Sequence, residues 1–250
     1  MSTKAVDLNH KAIVFSDFDG TITLTDSNDF LTDNIGYGYK RRRELNIEIL
    51  EGRWTFRDAF RDMLSSVGSK TPFEECKKLL IENIQLDPGF KPFFEWCQSN
   101  DVPIIVLSSG MKPLIRALLD HFLGAENAEK IQIVANDVKI HPDGTWEVVF
   151  CDESHFGHDK SRAIKPYREA REKLPKEKWP TFFYCGDGVS DLSAARETDL
   201  LFAKAGHDLI TYCKREGVPY KVFHSFEDIL RDVKDVVEGR KTTDEIAENR

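Results

Sequence analysis

Two carboxylates, Asp17 and Asp19, stand one residue apart, directly after the apolar run Ala12-Ile13-Val14-Phe15 and directly before Gly20-Thr21. The β-branched and aromatic residues of the run predict a short buried strand that a glycine ends. Paired carboxylates at the mouth of a buried strand lose hydration and repel one another. At least one pKa then rises unless a positive charge sits between them. A hard divalent cation meets that need, and oxygen ligands beside a phosphate substrate suit Mg²⁺. The same residues also fit a strand followed by an Asp-Gly turn, so the rest of the chain decides.

Three more groups of this kind follow. Ser108-Ser109-Gly110 comes after the apolar run Val102–Leu107, with Met111 just beyond it. Gly186-Asp187-Gly188-Val189-Ser190-Asp191 comes after Thr181–Cys185. Lys160 opens a helical pattern behind Gly157-His158-Asp159. Carboxylates hold Mg²⁺, while hydroxyl, loop N–H groups and an ammonium hold phosphate oxygens. The set predicts phosphoryl transfer with a carboxylate available as nucleophile. Each group also has a plainer reading. Asp187 and Asp191 fit a turn and a helix cap, Ser108 or Ser109 a cap before Pro113, and Lys160 a solvated lysine. His158 reads as a structural or surface histidine.

The elements that must position these groups alternate. From Asp87-Pro88-Gly89 onward, strand-like and helix-like stretches succeed one another, with a β-hairpin at Val138–Ile140 and Trp146–Phe150 around an Asp-Gly turn. Such alternation predicts an α/β fold, a Rossmann-like parallel sheet with helices on both faces. Ligands bind outside the carboxyl ends of such strands, where all four groups fall. Between the first two groups, residues 26–87 read as helical. Phe56, Phe60, Met63 and Leu64 form an amphipathic stripe, and Thr71-Pro72 marks a helix start. This block predicts a small helical cap inserted after the first strand, with residues 1–25 and 88–250 as the core. The tail from Gly239 reads as frayed.

The totals narrow the class. A net charge of −8 argues against nucleic acid as a general partner. Five dispersed cysteines without a C-x-x-C pair fit reduced thiols in a cytosolic protein. No apolar stretch is long enough to span a bilayer, so no membrane role is expected. The polar N-terminus, Met1 to His10, lacks a signal-peptide core. The expected location is cytoplasmic. Lys40-Arg41-Arg42-Arg43 leaves a nuclear or anionic-surface signal open, although one such run inside a helix is more often a solvated face.

The combination of D-F-D-G-T, L-S-S-G, a lone Lys160 and G-D-G-V-S-D resembles the four motifs of haloacid dehalogenase superfamily phosphatases, in order and spacing. The inserted helical block resembles the small cap of phosphoserine phosphatase and its relatives. At closer range, L-D-P-G-F-K, S-S-G-M-K-P, F-G-H-D-K-S-R and Y-C-G-D-G-V-S-D-L-S-A-A resemble the fungal polyol phosphatases. The resemblance implies Asp17 as nucleophile, forming an aspartyl phosphate, and Asp19 as general acid and then base. It implies Mg²⁺ held by the Asp17 carboxylate, the Asp19 backbone carbonyl and Asp187, with Asp191 supporting that shell and orienting Lys160. Ser108, the amides of Ser109 and Gly110, and Lys160 are implied as the phosphate ligands.

Substrate choice is expected from the cap. Asp26 lies nine residues after Asp17, where the phosphoserine enzymes carry a Glu that recognises the amino group. The shorter acid suits sugar-alcohol hydroxyls instead. Arg57 and Arg61 lie four apart on one helical face. Arg61 matches a carboxylate-binding Arg of the phosphoserine enzymes, while a solvated face explains both equally well. Met111 is expected against the substrate, and Tyr37, Trp54 and Phe56 in packing. The expectation is thus a Mg²⁺-dependent phosphomonoesterase for a small phosphate ester, preferably a polyol phosphate. Phosphoserine and 2,3-diketo-5-methylthio-1-phosphopentane are the alternatives. A phosphotransferase or mutase, or a non-catalytic regulatory protein on the same fold, also stays open. No protein partner is indicated.

Overall fold

The computed structural model describes residues 6–248 of the chain. The elements, in chain order, are β1 (Ala12–Ser16), α1 (Ser27–Asn34), α2 (Tyr39–Leu50), α3 (Phe56–Gly68), α4 (Phe73–Asn83), α5 (Phe90–Ser99), β2 (Ile104–Met111), α6 (Lys112–Leu123), α7 (Ala125–Ala128), β3 (Gln132–Ile140), β4 (Trp146–Val149), α8 (Lys160–Arg171), β5 (Thr181–Gly186), α9 (Leu192–Ala195), β6 (Leu200–Lys204), α10 (Leu209–Glu216), β7 (Tyr220–Phe223), α11 (Phe226–Val237) and α12 (Thr243–Ile246). The seven strands follow the order β4-β3-β2-β1-β5-β6-β7. All pair in parallel from β2 to β7, and β4 runs antiparallel to β3. This is the expected α/β class.

The chain divides into two compact units. The first takes the described residues of Met1–Asp17, Asp87–Leu107 and Lys160–Arg250. In it β1 lies between β2 and β5, with Val14 opposite Ile104 on one side and Phe183 on the other. Every residue of β1 is buried. A central strand covered on both faces needs apolar residues throughout, which is why the run does not alternate. Helices α5 and α11 meet through the rings of Phe90 and Phe93 against Phe226, at 4.9 and 5.3 Å. The tail departs from its expected fraying. A capping box between Thr242 and Glu245 starts α12, the Glu248 N–H bonds the Tyr220 carbonyl, and Lys221 Nζ meets Glu248 at 2.7 Å. Asn249 and Arg250, like Met1–Ala5 of the polar N-terminus, lie outside the described residues.

The second unit takes Phe18–Leu86 and Ser108–Asp159. Its helices α1 to α4 form where the sequence predicts them, broken at Gly36-Tyr37-Gly38 and Gly52. Pro72 is the residue before α4 rather than its first turn. Trp146 of β4 anchors this unit: its ring packs edge-on against Phe73 at 5.3 Å and its Nε1–H donates to the Thr71 carbonyl at 2.9 Å. A Cβ on Gly68 would lie 2.4 Å from the Trp146 carbonyl oxygen, so the close approach requires glycine there. The first hairpin strand, expected at Val138–Ile140, is the end of a longer strand, β3, that begins at Gln132. Ser108-Ser109-Gly110 continues β2 instead of ending it. The described helices include none long and apolar enough to cross a membrane.

Candidate active site

In the first unit, β1 delivers Asp17, α8 begins at Lys160, and β5 leads into Asp187 and Asp191. Lys160 Nζ donates to Asp17 Oδ1 and to Asp191 Oδ1, both at 2.6 Å, and the lysine is wholly buried. Asp191 Oδ1 also accepts the Tyr184 hydroxyl at 2.6 Å. Its Oδ2 accepts the Asp187 and Gly188 N–H groups, each at 3.0 Å. A Cβ on Gly186 would fall 2.5 Å from the Asp191 carboxylate, so β5 must end in glycine to admit it. Asp187 Oδ2 lies 3.0 Å from His207 Nδ1, and the Asp187 carbonyl accepts the Leu209 N–H.

Carboxylate oxygens of Asp17, Asp187 and Asp191 lie within 4.8 Å of one another. Three carboxylates thus face one buried ammonium. Burial pushes the Asp17 carboxyl well above its ordinary range; Lys160 opposes the shift, and Asp191 and Asp187 add to it. Burial alone would lower Lys160, but Asp17 and Asp191 hold it above the usual lysine value, so it stays charged. A divalent cation would offset the negative charge that Lys160 leaves over. Asp191 already accepts four hydrogen bonds, the capacity of a carboxylate. The oxygens still open to a cation are therefore those of Asp17 and Asp187.

In the second unit, Asp19 is held from two sides. The Ser27 N–H donates to its Oδ1 at 2.8 Å, and Asn28 Nδ2 donates to its Oδ2 at 3.0 Å. A Cβ on Gly110 would lie 2.8 Å from Asp19 Oδ2, 3.1 Å from Ser108 Oγ and 3.2 Å from Asn28 Nδ2. Ser108, Asp19 and Asn28 therefore converge on a spot that only glycine leaves open. The Gly110 N–H donates to Ser108 Oγ at 2.9 Å. Buried Asn136 donates to the Ser109 carbonyl at 2.7 Å and accepts the Cys151 N–H at 2.8 Å, which fixes the path of the Ser109 backbone.

The sequence profile of the haloacid dehalogenase-like hydrolases matches residues 14–196. The chain belongs to the haloacid dehalogenase-like hydrolase family. It is 53% identical to polyol phosphate phosphatase PYP1 of Saccharomyces cerevisiae over 241 residues, covering 96% of this chain and 99% of that protein. It is 55% identical to Pdp3-interacting factor 1 of Schizosaccharomyces pombe over 88% of this chain and 94% of that one. A 2-hydroxy-3-keto-5-methylthiopentenyl-1-phosphate phosphatase of Bacillus cytotoxicus is 27% identical over 90% of this chain and 97% of its own length. Among solved structures, a phospho-aspartyl intermediate analogue of phosphoserine phosphatase superposes with a TM-score of 0.66 at 17% identity, covering 89% of this chain and 98% of that one. That last likeness bears on the fold.

Within this hydrolase the expected specificity residues have other attachments. Asp26 is the N-cap of α1: its Oδ1 accepts the Asn28 and Asp29 N–H groups at 2.8 and 2.9 Å. Arg57 and Arg61 do share a helix face, and both guanidiniums lie over the Phe150 ring, 4.7 and 5.1 Å from its centre. Arg57 also bonds the Asp152 carbonyl and Glu153, and Arg61 bonds Asp58. Met111 is buried just before α6. Arg42 contradicts the solvated-face reading of the basic run: it is buried, bonded to Asp33 at 2.7 and 2.8 Å and to Asp29 at 2.6 Å. Trp54, expected in packing, is exposed. Tyr184, Asn28, Asn136 and His207 were absent from the sequence-based set. Only Tyr184 carried a signal, as the last aromatic residue of a strand that ends in the acidic loop.

Proposed function

We propose that this hydrolase is a Mg²⁺-dependent phosphatase of small sugar-alcohol phosphates that works through a phosphorylated Asp17. The observation that carries the chemistry is the group of three carboxylates, two of them buried and bonded to Lys160, whose surplus negative charge calls for a divalent cation. Asp17 and Asp187 would hold that cation, together with the backbone carbonyl of Asp19. When bound, Mg²⁺ supplies positive charge that lets an anionic carboxylate approach an anionic phosphate. Its identity as Mg²⁺ is supported by the all-oxygen donor set.

In the first step an Asp17 carboxylate oxygen forms a bond to phosphorus, and the ester bond to the substrate oxygen breaks. Asp19 gives that oxygen its proton, so a neutral alcohol leaves. Water then attacks the phosphorus of the aspartyl phosphate and returns a proton to Asp19, releasing inorganic phosphate and free Asp17. Lys160 neutralises charge beside the nucleophile, and Ser108 with the Ser109 and Gly110 amides binds phosphate oxygens. Asp191 positions Lys160. Residues 26–87 act as the cap that selects the substrate.

The polyol phosphate class is supported by 53% identity, over nearly the full length of both chains, to a protein of that name. A location inside the cell follows from that reading, which implies a metabolite as substrate and no nucleic acid or membrane partner. A second role, binding a protein, has one observation in its favour: the relative at 55% identity is named for an interaction. The test is phosphate release from ribitol 5-phosphate, sorbitol 6-phosphate, phosphoserine and 2-hydroxy-3-keto-5-methylthiopentenyl 1-phosphate, with Mg²⁺ and with EDTA. The expected result is fastest release from a polyol phosphate, abolished by EDTA. Metal-independent release, or a clear preference for phosphoserine, would overturn the reading.

A further inference from the structure

Asn28 sits in the first turn of α1, yet its side chain has no part in capping the helix, because Asp26 does that. The residue is only 4% exposed. Its Nδ2 donates to Asp19 Oδ2, while its Oδ1 has no hydrogen-bond partner among the described residues. The amide turns its NH₂ toward Asp19 Oδ2, so Oδ1 is the atom left as an acceptor. A buried acceptor without a donor is destabilising, and a folded protein keeps few of them. The carboxamide that carries it has its Nδ2 where Asp19, Ser108 and the backbone of Gly110 converge.

We propose that Asn28 is a specificity residue. Its Oδ1 accepts a hydrogen bond from the substrate hydroxyl on the carbon next to the phosphorylated one, while its Nδ2 holds Asp19 in place. The inference rests on the phosphatase reading above. There Asp19 meets the ester oxygen, so the first carbon of the leaving alcohol comes next to Asp19 and the substituent of the second carbon reaches the Asn28 carboxamide. A vicinal hydroxyl donates to Oδ1 and removes the unpaired acceptor. A CH₂ at that position leaves the acceptor buried and unpaired, which a site built for a hydroxyl penalises. The class selected is thus the monophosphate of a 1,2-diol, which includes every linear polyol phosphorylated at its end.

The test compares glycerol 1-phosphate with propane-1,3-diol monophosphate, which differ in the vicinal hydroxyl but share a terminal one. Wild type should favour glycerol 1-phosphate in kcat/KM by about fivefold to tenfold. Asn28→Ala should slow both substrates through Asp19, and should also bring their ratio close to one. Asn28→Asp keeps an acceptor oxygen but puts an anion beside Asp19. It should keep the preference while losing turnover on both, and it decides the matter if Asn28→Ala does not fold. A wild-type ratio near one, or a ratio unchanged in Asn28→Ala, would overturn the specificity role while leaving the phosphatase reading intact. Failure of wild type to hydrolyse these esters and a simple aryl phosphate with Mg²⁺ would instead remove the phosphatase reading itself, and this inference with it.

Discussion

Each unit of the molecule contains a cation gripped by two aspartates, and the two knots behave differently. In the first unit Lys160 joins Asp17 and Asp191, with the lysine and Asp191 fully buried and Asp17 nearly so. In the second, Arg42 joins Asp33 of α1 and Asp29 of the same helix, and those side chains are 21% and 36% exposed. Burial and Asp26 push the Asp29 carboxyl up to about 8, against the pull of Arg42. Water reaches this second knot and can screen what the guanidinium leaves over. Around Lys160 the two bonded carboxylates are shut away from water, and a third, half-buried Asp187, adds to the surplus. The same pairing is therefore a clasp between α1 and α2 in one setting and an incomplete charge set in the other. Desolvation makes the difference, since Coulomb energies grow as the local dielectric falls.

Breaking the first knot should have the largest effect. Lys160→Met leaves Asp17 and Asp191 buried without their cation, and should cost about 3–5 kcal/mol of stability in EDTA. Urea unfolding would measure this, and added Mg²⁺ should restore part of the loss. Phosphate release should fall as well. Breaking the second knot should be milder. Arg42→Met should cost about 1–2 kcal/mol, between the ranges for surface and buried pairs, with turnover of an aryl phosphate falling less than in Lys160→Met. Equal losses in both variants would erase the contrast.

The smallest effect concerns pH. A hydrogen bond to Asp187 raises the pKa of His207, and that gain outweighs the opposing effect of burial. A histidine whose folded pKa is raised contributes stability that is fully present below its unfolded value of about 6.5. The contribution is lost as the pH rises through the folded value. In EDTA, the gap in melting temperature between wild type and His207→Ala should thus be wider at pH 6 than at pH 9. A gap that does not change with pH would remove His207 from the charge set.

The same contrast explains what could be read in advance. Asp17, Ser108, Lys160, Asp187 and Asp191 stand out because each comes after an apolar run or opens a helical pattern, and ligand sites in parallel sheets gather at those ends. The strands themselves are legible from apolar runs. Tertiary pairings were not. Arg57 and Arg61 share a face as their spacing requires, but nothing nearby announces Phe150 as the ring beneath them. Arg42 looked solvated within a run of four basic residues, and its burial depends on Asp29 and Asp33 one helix earlier. Tyr184 and Asn28 gain their importance from a single contact each, to Asp191 and Asp19. The tail after Gly239 looked polar enough to fray, yet a capping box and the Lys221–Glu248 pair hold it.

The central claim is that the charge set around Lys160 serves covalent attack by Asp17. The direct measurement is acid quenching of the enzyme during turnover of ribitol 5-phosphate with Mg²⁺, followed by peptide mass spectrometry. A single phosphoryl group on Asp17, absent in EDTA and in Asp17→Asn, is the predicted result. Phosphate release that persists in Asp17→Asn, or a phosphoryl group found on another residue, would contradict the account.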